Sequence, residues 1–144
     1  MVSLSVGSFL QRYNQFATGI IMTVKPKKNL GQHFLKDEGI AQKIADLLDD
    51  TKADTIIEIG PGMGVLTKPL LEKFGDRLHV VEIDDESVTY LNTHFPELEG
   101  RVHHADFLKL DIPSVFPGSI AVIGNYPYNI SSQILFHLLK FPTQ

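Results

Sequence analysis

The chain has no cysteine in its 144 residues. Disulfides, thiolate metal sites and a cysteine nucleophile are therefore excluded, and the absence suits a reducing, cytoplasmic setting. No apolar run approaches the length of a membrane span. No basic residue precedes an apolar core near the start, and Arg12 interrupts the first stretch, so a secretory leader is not expected. Repeats and low-complexity tracts are absent. Positive charge is scarce: 13 Lys and Arg stand against 17 Asp and Glu, a net charge of −4 that is unhelpful for holding a polyanion. The distribution is uneven, however. Residues 1–28 contain Arg12, Lys25, Lys27 and Lys28 and no acid, so the remainder carries the whole acidic excess. Lys25-Pro26-Lys27-Lys28 is either a phosphate contact or a solvated tail. Of the six histidines, His103 and His104 are adjacent on a predicted strand, face opposite ways and cannot chelate together, so no metal site is expected.

What the chain does have is an alternation of helical and strand patterns. Residues 1–21 show no clear period, and Met22 is a candidate true start. Beyond them, Asp37 is placed to N-cap a helix over 38–49, with Ile40, Ile44, Leu47 and Leu48 on one face. Strand 55–59, a helix around 64–74, strand 78–83, a helix around 86–94, and strands 101–105 and 120–124 follow. Pro69 requires the second helix either to begin late or to kink. Ser131 or Ser132 is placed to cap a last helix carrying Ile134, Leu135, Leu138 and Leu139. Such alternation predicts an α/β fold with a doubly wound, mainly parallel sheet, and a chain of this length can bury one sizeable core. Ligands of such sheets bind outside the carboxyl ends of the strands.

Three strand ends carry chemistry. Glu58-Ile59-Gly60-Pro61-Gly62-Met63-Gly64 follows the β-branched run Thr55-Ile56-Ile57. Its glycines permit positive φ and close approach of a ligand to the backbone. The spacing is G-x-G-x-G, with Val65 where a dinucleotide fingerprint needs its third glycine, and Glu58 suits a cationic or hydrogen-bond-donating ligand better than a pyrophosphate. Glu82 ends the next strand, about 22 residues beyond Gly60, near the distance at which an acid binds ribose hydroxyls. It also reads as the start of a helix, with Asp84 or Asp85 as N-cap. Asp106 follows Val102-His103-His104-Ala105 and is either an acceptor for an adenine amino group or a turn residue. Asn125-Tyr126-Pro127-Tyr128 follows the apolar run Ile120-Ala121-Val122-Ile123-Gly124. An Asn oxygen, a Pro-fixed backbone and an aromatic ring at one strand end can hold a flat heterocycle bearing an amino group, adenine being the obvious candidate.

Gln32-His33-Phe34-Leu35, Glu58-Ile59-Gly60-Pro61-Gly62, Glu82-Ile83-Asp84, Ala105-Asp106 and Asn125-Tyr126-Pro127-Tyr128-Asn129-Ile130-Ser131 occur in one order. Together they resemble the small-subunit ribosomal RNA adenine N6-dimethyltransferases, from about Lys25 onward. The resemblance implies a class I, Rossmann-like methyltransferase fold with S-adenosylmethionine as cofactor. It implies cofactor contacts from His33, Leu35, Gly60, Glu82, Asp106 and Asn125, and catalytic roles for Asn125, Pro127 and Tyr128. It also implies ribosomal RNA, within an immature small subunit, as partner, no membrane, and a monomer when complete. Residues 1–24 then form an unrelated or disordered extension. Residues 25–144 form the N-terminal part of the methyltransferase domain, without later strands and a small helical domain. Four strands would leave a sheet edge exposed, so marginal stability and weak activity are expected. Tyr126 stands where the family more often has Leu or Ile.

The chemistry follows from the substrate. Adenine N6 is a poor nucleophile because its lone pair is delocalised into the ring. The Asn125 oxygen and a backbone carbonyl at Tyr126 or Pro127 are expected to accept its two protons as positive charge develops, with Tyr128 stacked on the base. Three alternatives stand beside this reading. A DNA adenine methyltransferase is disfavoured by the Gln-His-Phe-Leu loop. A nonenzymatic nucleic-acid factor that keeps the cofactor pocket is disfavoured by intact Asn125 and Tyr128. A nicotinamide-dependent oxidoreductase is disfavoured by Glu58 and Val65.

Overall fold

The computed structural model describes the backbone of residues 2–5, 19–24, 38–48, 51–126 and 128–141, and side chains within 38–48, 51–124, Ile130 and 132–141. A six-stranded sheet has the order β1-β2-β6-β3-β4-β5, where β1 is Val2–Ser5, β2 Gly19–Val24, β3 Thr55–Ile59, β4 Leu78–Glu82, β5 Val102–His104 and β6 Ile120–Tyr126. Strands β2, β6, β3, β4 and β5 run parallel to their neighbours, and only β1 is antiparallel. The helices are α1 Glu38–Asp46, α2 Thr67–Phe74, α3 Asp85–His94, α4 Ile112–Val115 and α5 Tyr128–Leu139.

The strands are apolar on both faces, as a parallel sheet covered twice requires. Ile56, Val80, Ala121 and Ile123 pack with Ile44, Leu66, Leu70 and Leu91 of α1, the α2 N-terminus, α2 and α3. Ile57, Val81 and Val122 on the other face pack with Phe107, Ile112, Phe116 and Ile134. The doubly wound sheet is therefore present, and its middle strands β6, β3 and β4 end side by side.

Some local expectations are met and others need correction. The sheet has more than the four strands expected, because β2 pairs with β6 from Gly19↔Ala121 to Val24↔Tyr126. Residues 2–5 and 19–24 thus supply two strands. Gly19-Ile20-Ile21-Met22-Thr23-Val24 is rich in the β-branched residues that favour a pleated strand. Helix α2 begins late, at Thr67, so Pro69 lies in its first turn, where a missing N–H costs nothing. Helix α5 begins at Tyr128, so neither Ser131 nor Ser132 caps it. Leu47 and Leu139 are exposed, at or beyond their helix ends, rather than in the core. Asp84 is the N-cap of α3, its Oδ2 accepting from Ser87 N at 2.8 Å. Asp37 lies outside the described residues.

Candidate cofactor site and its family

Strand register brings the three motif ends to one level. Ile59 is opposite Gly124 of β6 and Val81 of β4. The next residue along each strand is Gly60, Asn125 and Glu82. Neighbouring strands lie about 4.8 Å apart, so β6, β3, β4 and β5 span about 14 Å at this edge. Asp106 stands two residues beyond the end of β5, and Ala105 N donates to Glu82 O at 3.0 Å, tying the two ends together. The backbone of Asn125 and Tyr128 is placed here, whereas His33, Leu35 and Pro127, together with Lys25, Lys27 and Lys28, lie outside the described residues.

The Gly-rich turn is held by Glu82. Its Oε1 accepts from Gly62 N at 3.0 Å, and its Oε2 accepts from Ile83 N at 2.8 Å and Asp84 N at 3.1 Å. A carboxylate has about four lone-pair sites. One remains on Oε1 for a hydroxyl, and accepting a second hydroxyl means releasing a backbone N–H. Glu82 is 6% exposed.

Gly60, Gly62 and Gly64 all have positive φ. Gly60 faces open space, with nothing within 4 Å of a Cβ built on it, whereas a Cβ on Gly64 would overlap Phe95 Cε2 and Cζ. Gly64→Ala is therefore expected to destabilise by about 2–3 kcal/mol, from backbone strain plus displacement of Phe95. Gly60→Ala should cost only the strain, about 1–2 kcal/mol. Chemical denaturation of the two variants checks the order; equal losses would place the crowding elsewhere.

Glu58 does not face a ligand as an open acid. It is 2% exposed, and Thr67 Oγ1, at the start of α2, donates to its Oε2 at 2.6 Å. Burial pushes its carboxyl up to about 8 against that hydrogen bond, and the Glu82 carboxylate adds to the rise. Thr67 was not singled out from the sequence; its position at the first turn of the helix after the glycines was the available signal.

The pH consequence has a definite sign. Glu58 keeps its proton in the folded protein after the unfolded chain has lost it near 4.5, so its contribution is full below that pH and is lost as pH rises to about 8. His79 acts oppositely. Burial, then His103 and Arg101, hold it near 4, so its contribution is full above 6.5 and is lost as pH falls toward 4. Thermal melts of Glu58→Gln and the parent protein should therefore diverge in favour of the variant between pH 6.5 and 8. A pH-independent difference would contradict the buried, protonated acid.

Among the described residues no group of three or more His, Cys, Asp or Glu could hold a metal ion. His103 stacks on His79, with His79 Nδ1 and His103 Nε2 2.9 Å apart, while His104 Nε2 reaches Asp85 at 2.8 Å, so the two neighbours do point to different partners. Phosphate also fits poorly. No Lys or Arg occurs from Glu58 to Thr67. Beside the turn, a groove of about 560 Å³ offers Lys68 against Glu38 and Glu72. An acidic, donor-poor strand edge with an open glycine suits a cation carrying hydroxyl groups.

Comparison with known proteins agrees with this chemistry. The architecture is that of class I methyltransferases: the crystal structure of the 23S rRNA methyltransferase ErmE matches with a TM-score of 0.59 at 32% identity, over 76% of this chain and 44% of that one. A dimethyladenosine transferase from Plasmodium falciparum matches with a TM-score of 0.56 at 29% identity, over 73% and 38%. The family model Ribosomal RNA adenine dimethylase matches residues 23–144, and the chain belongs to that family. Ribosomal RNA small subunit methyltransferase A of Parabacteroides distasonis is 64% identical over 121 residues, 84% of this chain. The chain spans 45% of that relative's length.

Proposed function

We propose that the protein acts in S-adenosylmethionine-dependent N6-dimethylation of adenines in small-subunit ribosomal RNA, as part of ribosome maturation in the cytoplasm. The observation that carries this reading is the alignment of Gly60, Glu82 and Asn125 at one level on three adjacent parallel strands, in a chain 64% identical to a small-subunit rRNA methyltransferase.

The residues present fit the cofactor. When bound, S-adenosylmethionine supplies an electrophilic methyl group on a sulfonium. Glu82 holds a ribose hydroxyl with its remaining lone pair, and the open side of Gly60 admits close approach. Asp106 would take the adenine amino group, and His33, Leu35 and Asn125 would complete the contacts. Asn125 and a carbonyl at Tyr126 or Pro127 accept the protons of the target N6. Tyr128 holds the target ring by stacking. The methyl group would pass to N6 with the thioether as leaving group and the N6 proton would then go to solvent, so this chain need supply no strong base. A second transfer has one proton left to hold, so the pocket must admit a methyl group.

The test is transfer of labelled methyl from the cofactor to immature small ribosomal subunits. It uses this chain and a version extended to its relatives' length, active as a monomer. Label in adenine of the small-subunit RNA is the expected result. Label in DNA adenine, or cofactor binding without transfer by the extended version, would overturn the reading in favour of a DNA enzyme or a nonenzymatic factor.

A further inference from the structure

Helix α5 begins directly after the Asn-Tyr-Pro motif, and its far half reaches the segment that follows β5. The link is His137, a residue with no role in the chemistry above. It is 7% exposed. Its Nε2 lies 2.9 Å from the carbonyl oxygen of Leu110. A carbonyl only accepts, so Nε2 carries the hydrogen. Nδ1 is buried without a hydrogen-bond partner. An orphaned polar nitrogen is destabilising where an apolar side chain would not be, so packing alone does not account for a histidine here. The bond from Nε2 does.

That bond ends on a short, closed piece of chain. Asp106 Oδ1 accepts from Leu108 N at 3.0 Å, and Lys109 N donates to Asp106 O at 3.0 Å. Leu110 N donates to Phe107 O at 3.2 Å. Asp106 to Leu110 therefore moves as one turn. The His137 ring also meets Phe107 edge-on, with centroids 5.9 Å apart at 73°, and Phe141 at 5.2 Å and 89°. The Nε2–H bond and the Phe107 contact together fix this turn to α5. The turn is also held by Ala105 N to Glu82 O at its start and by the apolar contacts of Phe107, Leu108 and Leu110 with the cluster beneath.

We propose that His137 is a positioning residue for the nucleoside end of the cofactor site. It locks the Asp106–Leu110 turn to the helix whose first residue is Tyr128, so that the donor's adenine pocket and the target-base motif keep one spacing. The inference rests on the assignment of Asp106 to the cofactor adenine.

The experiment measures S-adenosylhomocysteine binding, melting temperature and amide hydrogen exchange for His137→Phe, His137→Gln and Asp106→Ala in this chain. His137→Phe keeps an aromatic ring between Phe107 and Phe141 but removes the donor. It is expected to weaken binding about tenfold and speed exchange at Leu108, Lys109 and Leu110, with little change in melting temperature. His137→Gln, whose amide can donate from the Nε2 position, should restore most of both. Unchanged binding and exchange in His137→Phe, beside weakened binding in Asp106→Ala, would overturn the role of His137 alone. Unchanged binding in Asp106→Ala would overturn the adenine assignment. A melting temperature that falls in step with binding, without rescue by Gln, would make His137 merely structural and also overturn the proposal.

Discussion

Glu82→Ala is expected to lower S-adenosylhomocysteine affinity at least about 100-fold and to destabilise the free protein by about 2–4 kcal/mol. The two losses have one origin. The carboxylate now accepts from the N–H groups of Gly62, Ile83 and Asp84, so its removal orphans three donors at once. Ile83 and Asp84 are exposed and their N–H groups can turn to water, which keeps the stability loss below three full desolvation penalties. Gly62 cannot be held in place so readily, and the turn keeps only backbone contact with β4, such as Gly60 N to Val81 O at 2.9 Å. Binding then suffers twice, from the missing ribose acceptor and from a turn no longer organised to receive the ligand. Calorimetric titration and urea denaturation measure the two effects separately. Affinity within threefold of the parent would show that Glu82 serves only the turn.

Asn125→Ala is expected to reduce methyl transfer by about 10²–10³-fold while S-adenosylhomocysteine affinity changes by less than about threefold. An acceptor that matters most as charge develops on N6 lowers the rate far more than it lowers ground-state binding. Tyr128 should separate along different lines. Tyr128→Phe keeps the stacking face and most of the activity, whereas Tyr128→Ala loses it. Single-turnover rates at saturating cofactor, alongside binding constants, distinguish these outcomes. Near-parent turnover in Asn125→Ala would remove the proposed proton acceptor from the mechanism.

The parts of the fold legible in the sequence were those whose pattern is set locally. Thr55-Ile56-Ile57 and Ile120-Ala121-Val122-Ile123 are continuous apolar runs, and both are buried parallel strands flanked by others. The positive φ of Gly60, Gly62 and Gly64 follows from glycine spacing after such a run. What was hidden depends on the partner rather than the pattern. Gly19–Val24 becomes a strand only against β6. Tyr128, placed behind a proline, starts α5, and the later serines drew attention only because they resemble caps. Helix α4, at four residues, is too short to show a period.

At the strand ends, the residues that meet at one level were legible, and the partners of their side chains were not. Glu58 was marked as an acid before the turn, but its burial against Thr67 arises from the way α2 folds back over β3. Glu82 was expected to face a ligand, and its first duty in the free protein is to three backbone donors. His137 carries no local signal at all. Its importance comes from Leu110, 27 residues earlier in the chain, and appears only when α5 is packed.

The central claim is that one strand edge serves both a methyl donor and an adenine. Incubating the protein, in this form and extended to its relatives' length, with methyl-labelled cofactor and immature small subunits, then identifying labelled nucleosides by mass spectrometry, tests it most directly. Label in N6,N6-dimethyladenosine, abolished by Asn125→Ala, is predicted. Undiminished S-adenosylhomocysteine binding by the extended protein with no label in adenosine would contradict it.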